Sequence, residues 1–510
     1  MEYKNKKFLL SILSVLLLLL VINFNGIGIS TSNQDSDFDP LTNIQVTFSL
    51  DKLRSLEKDD NHLNVKEYID KHTNPDFYLK VWINDELHES QIWRNTKYIY
   101  NPEWQVTTNV PDDEELVDIK IQVWDWNLGI DKICDISGDT SLLKDAYDVE
   151  LTYSIKYGVW WGDDCTSISE PISLDPSGYG RLNGCDDGSI YERDRDVELW
   201  FSISQTDPDG DGIPYWLEVN ELDTNPEVDD SDRDDDNDGI PLSWEYFWGH
   251  EAYYDWNSET YYHEWVYGPF EWNDHHNLDP DNDGLTNYEE YLTWQWGSDP
   301  FRKDLFVELD HMADSPNGEE SNLPEGSKEL LQTAYNRQNV VYHLDDGCMG
   351  GSDIIPFDET SSYNELQDYY QDYFLHNDEN NWRKGVFHYG LVVYEAEHAP
   401  GFVFRRNAYQ ISSTGMEKKV KLPWSDQEVV YASAYMHECG HSLGIFHGNT
   451  PGCDDQVGKY PWQLNWWKWI PYKSVMNYGY MYRIVDYSDG SRGKNDFDDW
   501  NRLDLKFFQS

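Results

Sequence analysis

The chain has 510 residues, and 96 acidic against 38 basic side chains leave a formal charge of −58. A surface this negative repels a phosphate backbone, excludes nucleic acid as the main partner, and calls for bound cations or adaptation to high salt. Aromatic residues make up 15% of the chain, including 23 Trp and 36 Tyr, which excludes a disordered polymer.

In chain order, Lys4, Lys6 and Lys7 precede the apolar run Phe8–Ile22, and no charge follows until Asp35. This predicts, within residues 1–30, a secretory signal or a membrane anchor through residues 8–24. No small-residue cleavage site decides between the two. Either places the remainder outside the cytoplasm, secreted or held at the surface. Its six cysteines then meet an oxidising compartment, and Cys165 with Cys185 is the favoured bridge. From 41 to 205, short β-type runs such as Tyr78–Asn84, Val117–Trp126 and Asp196–Ser204 alternate with polar turns and predict an all-β sandwich. The segments NPDFYLKVWIN, NPEW and VWDWNLGIDKICDI resemble, in this order, the C2 family of β-sandwiches. That resemblance implies calcium held by Asp76, Asp125, Asn127 and Asp131, with Asn127 where an Asp is usual. It also implies contact with phospholipid, for which this region lacks the basic clusters.

From 206 to 300 the composition turns to Asp, Asn and Gly. Three segments fit D-x-D-x-[DN]-G-x5-E: Asp207–Glu218, Asp234–Glu245 and Asp279–Glu290. Oxygen donors at positions 1, 3 and 5, glycine at 6 and a carboxylate at 12 describe a Ca2+ cage. The candidate ligands are Asp207, Asp209, Asp211 and Glu218; Asp234, Asp236, Asp238 and Glu245; and Asp279, Asp281, Asp283 and Glu290. With no amphipathic helix before each loop, the region resembles thrombospondin type 3 repeats or dockerin-like loops more than a paired EF-hand, implying an irregular, calcium-stiffened spacer. The aromatic insert Tyr246–Trp272 either packs against its neighbours or offers a sugar platform. His275 and His276 are adjacent and do not share a helix face, so no metal is assigned to them.

Residues 301–510 begin with a strand at Leu305–Met312, a helix at Ser327–Gln338 and further strands at Val340–Leu344 and Val386–Ala396, predicting an α/β (α+β) domain. It contains HECGHSLGIFH, from His437 to His447. On a helix His437 and His441 project from one face, with Glu438 placed to handle a water on a shared metal. Gly444 ends the helix and lets His447 approach as a third ligand, leaving the fourth position open as in a catalytic zinc site. This motif, with Met476 in SVMNY, resembles the metzincin zinc endopeptidases. The resemblance implies zinc on His437, His441 and His447, Glu438 as general base, and Met476 as the floor beneath the metal. Tyr478 matches either a catalytic helper or a wall. The sequence reading is thus a multidomain, extracytoplasmic zinc endopeptidase stabilised by calcium and acting on protein or peptide substrates. The alternative is an inactive, calcium-dependent surface adhesion or scaffold protein.

Overall fold

The computed structural model describes residues 43–57, 59–60, 65–66, 69, 73–138, 147–163, 180–188, 190, 195–255, 260–421 and 425–508. The expected N-terminal signal or anchor and Cys165, half of the favoured bridge, lie outside the described residues. Among the described residues, no helix is long and apolar enough to cross a membrane.

The alternation read in the sequence builds the sandwich. Strand Leu116–Asp125 buries Val117, Ile119, Ile121 and Val123 and turns the residues between them outward. It lies in an antiparallel sheet ordered Trp160–Gly162, Val149–Ser154, Leu116–Asp125, Phe77–Ile83, Glu86–Glu89, with Lys132–Cys134 also paired to it. The second sheet runs Arg181–Asn183, Val197–Gln205, Gln45–Ser55, Tyr98–Asn109, so the sandwich's last strand pairs with its first. Trp160 of one sheet meets Phe201 of the other at 5.7 Å between ring centroids.

In the C-terminal region the strands are ordered Val340–Asp345, Lys303–Met312, Phe387–Val393, Ala408–Ser412, Gly401–Arg405. The first four are parallel, and the edge strand Gly401–Arg405 is antiparallel. Phe387–Val393 is buried at every position, as expected of a parallel strand covered on both faces. Helices Glu325–Asn336 and Gln427–Ser442 bury Leu331, Tyr335, Tyr435 and Cys439 against Leu305, Val307 and Ile411. On the other core, Leu366 and Phe374 join Phe387 and Leu391. The predicted strands and the predicted helix all form, with bounds shifted by a few residues.

A buried polar network joins this region to the sandwich. Arg181 pairs with Glu198 at 2.7 Å and donates to Asn339 Oδ1 at 2.7 Å, and Asn336 donates to Glu198 Oε2 at 2.7 Å. Removing one member of such a pair strands a buried charge, at about 3–5 kcal/mol.

The loop region differs from the expected spacer. Short helices follow the loops, including Leu242–Gly249 and Asn287–Thr293, and Ile240, Trp244, Trp248, Tyr267 and Phe301 form a core of their own. Tyr246 donates to the sandwich at Tyr157 O, and the Asp304 amide of the mixed sheet donates to Asp283. Of the aromatic residues that suggested a platform, Tyr246, Trp248 and Tyr267 are buried in this packing, and Phe270 and Trp272 are exposed.

Candidate metal centres

Helix Gln427–Ser442 starts at Asp426, whose carboxylate accepts from the Glu428 and Val429 amides. It ends with Ile445 N–H on Gly440 O, Gly444 N–H on His441 O, and Gly444 in the left-handed region at φ +89°. This turn redirects the chain to His447. All three histidines are anchored by the same nitrogen. His437 Nδ1 lies 2.9 Å from Val475 O, His441 Nδ1 2.6 Å from Ile445 O, and His447 Nδ1 2.8 Å from Cys453 O. A carbonyl only accepts, so Nδ1 carries a proton in each ring and Nε2 is the nitrogen left to meet a metal, the orientation a ligating imidazole needs.

The residue sequence reasoning missed is Asp454. Its carboxylate lies 3.2 Å from His437 Nε2 and 3.3 Å from His441 Nε2, and the three side chains converge closely enough to share one ion. Despite burial, the two imidazoles hold the Asp454 carboxyl far below the usual carboxylate range. Burial pulls His441 down, yet Asp454 and Glu438 prevail and push it up to about 9. The only local signal was an acidic pair a few residues past the third histidine. His447 is the exposed member, tied to the carbonyl of Cys453, the residue beside Asp454.

Glu438 is buried, and burial raises its pKa while His437 and His441 draw it down. A Cβ on Gly401 would stand 2.4 Å from Glu438 Oε1, so glycine at the start of the edge strand admits this carboxylate. Met476 is fully buried with its sulfur beneath Gly440 of the helix, and its carbonyl accepts from the Asp454 amide at 3.2 Å. Tyr478 stacks on His437 at 5.6 Å between centroids. Burial and the nearby Asp454 carboxylate raise the phenol further, keeping it protonated.

The three acidic loops repeat one geometry. In each, the carboxylate at position 3 accepts from the amide at position 5, and that at position 5 from the amide at position 7. The Asp triplets 207/209/211, 234/236/238 and 279/281/283 each bring oxygens within 4.8 Å of one another. Glu218, Glu245 and Glu290 are buried beside them. Asp209 Oδ2 with Glu218 Oε2, Asp236 Oδ2 with Glu245 Oε1, and Asp281 Oδ2 with Glu290 Oε1 are buried without a hydrogen-bond partner among the described residues. Burial, then the neighbouring aspartates, push Glu245 up to about 9; burial and the same repulsion, against a bond from Thr224, put Glu218 at about 8. In the third loop Lys506 contacts Asp279. His275, to which no metal was assigned, points its Nε2 at Asp238 from 3.2 Å.

At the sandwich tip the four expected ligands come together but are already engaged. Asp76 takes Arg94 at 3.1 Å and the Asn95 amide at 2.7 Å. Asp125 takes Lys132 at 3.5 Å, the Asp76 amide at 3.0 Å and Asn127 Nδ2 at 2.6 Å. Asp131 takes the Asn127 amide and the Tyr78 hydroxyl, each at 3.0 Å.

Comparison with known proteins bears on this sandwich. Residues 45–145 match the C2 domain family. Similar solved structures include human GIVD cytosolic phospholipase A2, at 12% identity over 32% of this chain and 16% of that one, with a TM-score of 0.18. A structure of a C2 domain has 12% identity over 32% of this chain and 98% of its own, TM-score 0.17. A C2 domain protein from Ramazzottius varieornatus has 10% identity over 32% and 87%, TM-score 0.20. The chain thus spans about a sixth of that phospholipase's length. No curated protein matches the chain. The family match covers Asp125 and the turns that carry Asp76, Asn127 and Asp131, and residues 45–145 form a C2 domain.

Proposed function

We propose that the chain is a zinc-dependent endopeptidase whose acidic loops bind calcium. The observation that carries this reading is the shared anchoring of His437, His441 and His447 through Nδ1, with Glu438 buried between the first two. The donor set fits zinc: His437 and His441 converge with Asp454, and His447 is the motif's third imidazole. When bound there, zinc supplies a Lewis acid that lowers the pKa of water towards about 7.

The chain's own residues supply the rest. Glu438 takes the proton from the attacking water and delivers it to the leaving amine. Its place beside Gly401 aligns it with the edge strand Gly401–Arg405, along which an extended peptide adds as one more strand. Tyr478, protonated and stacked on His437, is placed to donate to a developing oxyanion. The orphaned carboxylate oxygens in the loops support calcium there, as hard oxygen donors, with Lys506 on Asp279 as the cation already in contact with the third loop. C2 domains commonly bind calcium and meet phospholipid, but here Arg94 and Lys132 neutralise the tip, which makes it the weakest of these centres.

The test is hydrolysis of an unfolded protein such as casein by the full chain, with zinc content measured in parallel. Glu438→Ala is expected to retain zinc and lose activity by about 10³-fold or more. Equal activity in wild type and variant, or no zinc in either, would reject the enzyme reading in favour of an inactive calcium-dependent scaffold.

A further inference from the structure

The second acidic loop is met by a histidine from outside its own segment. His275 lies 30 residues beyond the loop's Glu245 and is carried back to it by aromatic packing. Trp244 and Tyr267 flank the imidazole at 5.5 and 5.1 Å between ring centroids. It is completely buried, as is the Asp238 side chain that it faces. Asp238, Glu245 and His275 each direct a donor atom to within 4.8 Å of the other two.

The contact between His275 Nε2 and Asp238 Oδ2 spans 3.2 Å, yet Nε2 has no aligned hydrogen-bond partner among the described residues. The Asp238 oxygen instead accepts from the Asn273 amide at 3.1 Å. Two donors that share one ion through bonds of about 2.1 Å stand roughly 3.0–3.4 Å apart, aimed at the ion and not at each other. Glu245 Oε1 and Asp236 Oδ2 are the other buried, partnerless acceptors here.

The ring is also held as a ligand would be. His275 Nδ1 lies 3.0 Å from the Asn287 amide group, whose Oδ1 is otherwise without a partner among the described residues. With the amide turned so that Oδ1 accepts from Nδ1–H, that orphan is satisfied and the Nε2 lone pair is left facing Asp238.

We infer that this loop is a mixed nitrogen and oxygen site, held by His275, Asp238 and Glu245, which takes a first-row divalent transition metal in preference to Ca2+. The reason is chemical: calcium and magnesium favour oxygen donors, whereas an imidazole beside carboxylates suits manganese, iron or zinc. The inference rests on reading the loops as cation sites and changes the identity of one of the three ions.

The probe is Mn2+ in excess Ca2+, added to the full chain, with metals counted after dialysis and nitrogen coupling read by pulsed electron paramagnetic resonance. His441→Ala removes the competing histidine centre and is expected to retain one Mn2+ with imidazole ¹⁴N coupling. Adding His275→Gln is expected to lose that equivalent and its coupling. The inference is overturned if Mn2+ binding is unchanged by His275→Gln, or if excess Ca2+ strips Mn2+ from the His441→Ala chain. The second result decides the matter even if the glutamine variant misfolds. Calcium bound at the first and third loops, counted in the same samples, reports separately on the loop reading, and casein hydrolysis by wild type reports on the enzyme.

Discussion

At the sandwich tip Asp125 is fully buried and holds Lys132 at 3.5 Å, with Asn127 Nδ2 on the same oxygen. In the second acidic loop Glu245 is just as buried, yet its Oε1 has no hydrogen-bond partner among the described residues, and its neighbours are aspartates. Both regions are turns rich in Asp and Asn, and composition alone does not separate them. Their difference lies in where the neutralising charge comes from. The tip draws it from Arg94 and Lys132 of its own fold, whereas the second loop leaves its ligand carboxylates facing one another, a state that an added cation stabilises. A buried charge needs a partner, and the missing partner is the informative feature.

The largest effect expected from this contrast is on stability. Each site at a free ion concentration a hundredfold above Kd contributes about 2.7 kcal/mol. Because the loops bond both to the sandwich and to the mixed sheet, emptying them should lower the melting temperature of the full chain by about 10–20 °C. Calorimetry with and without chelator reads this directly. A shift of under about 2 °C would mean that the loop carboxylates tolerate one another without cations, and the contrast with the tip would collapse.

A smaller effect concerns pH in the metal-free chain. Glu218 and Glu245 sit at about 8 and 9 in the folded state, against an ordinary value of 4.5. Between those limits the folded chain holds protons that the unfolded chain releases. The stability tied to these groups is therefore fully present below about pH 4.5 and lost as pH rises towards 9. Metal-free protein should melt at a lower temperature at pH 8.5 than at pH 6, and saturating Ca2+ should remove most of the difference. Glu245→Gln should flatten the metal-free dependence, since the amide has no proton to lose. A slope that Glu245→Gln leaves intact would place the titration elsewhere.

The contrast also marks what was legible in the chain. The Asp spacing of the loops and the His437–His447 motif could be read because their ligands sit at fixed offsets along a turn or a helix. The alternation of Leu116–Asp125 was legible for the same reason, since burial repeats every second residue. Distant partners left no such trace. His275 reaches its loop through the packing of Trp244 and Tyr267, and Asp454 reaches the histidines from a loop position with φ +55°. Lys132 comes to Asp125 across a strand pair, so the chain displayed the four tip residues without the cations that occupy them. Adjacency in sequence argued against metal at His275 and His276, but that argument holds only on a shared helix, and His275 precedes helix Asn287–Thr293.

The smallest expected effect is at the tip itself. With the loops already saturated, calorimetric titration of wild-type chain with millimolar Ca2+ should show no further binding at the sandwich, and vesicles containing phosphatidylserine should not recruit it. Replacing Arg94 and Lys132 with alanine removes the two cations that contact Asp76 and Asp125, while Asp131 keeps its bonds from Tyr78 and Asn127. Two freed carboxylates with an Asn in the third place make a weak site, so the double variant should gain one Ca2+ at a Kd of about 10⁻⁴–10⁻³ M, the range of low-affinity modules. Its melting temperature without Ca2+ should fall slightly, because the buried Asp125 loses its nearest positive charge. A wild-type tip that already takes up calcium would show that Lys132 and Arg94 swing aside at little cost, and that their contacts at 3.5 and 3.1 Å are not what neutralises this end of the sandwich.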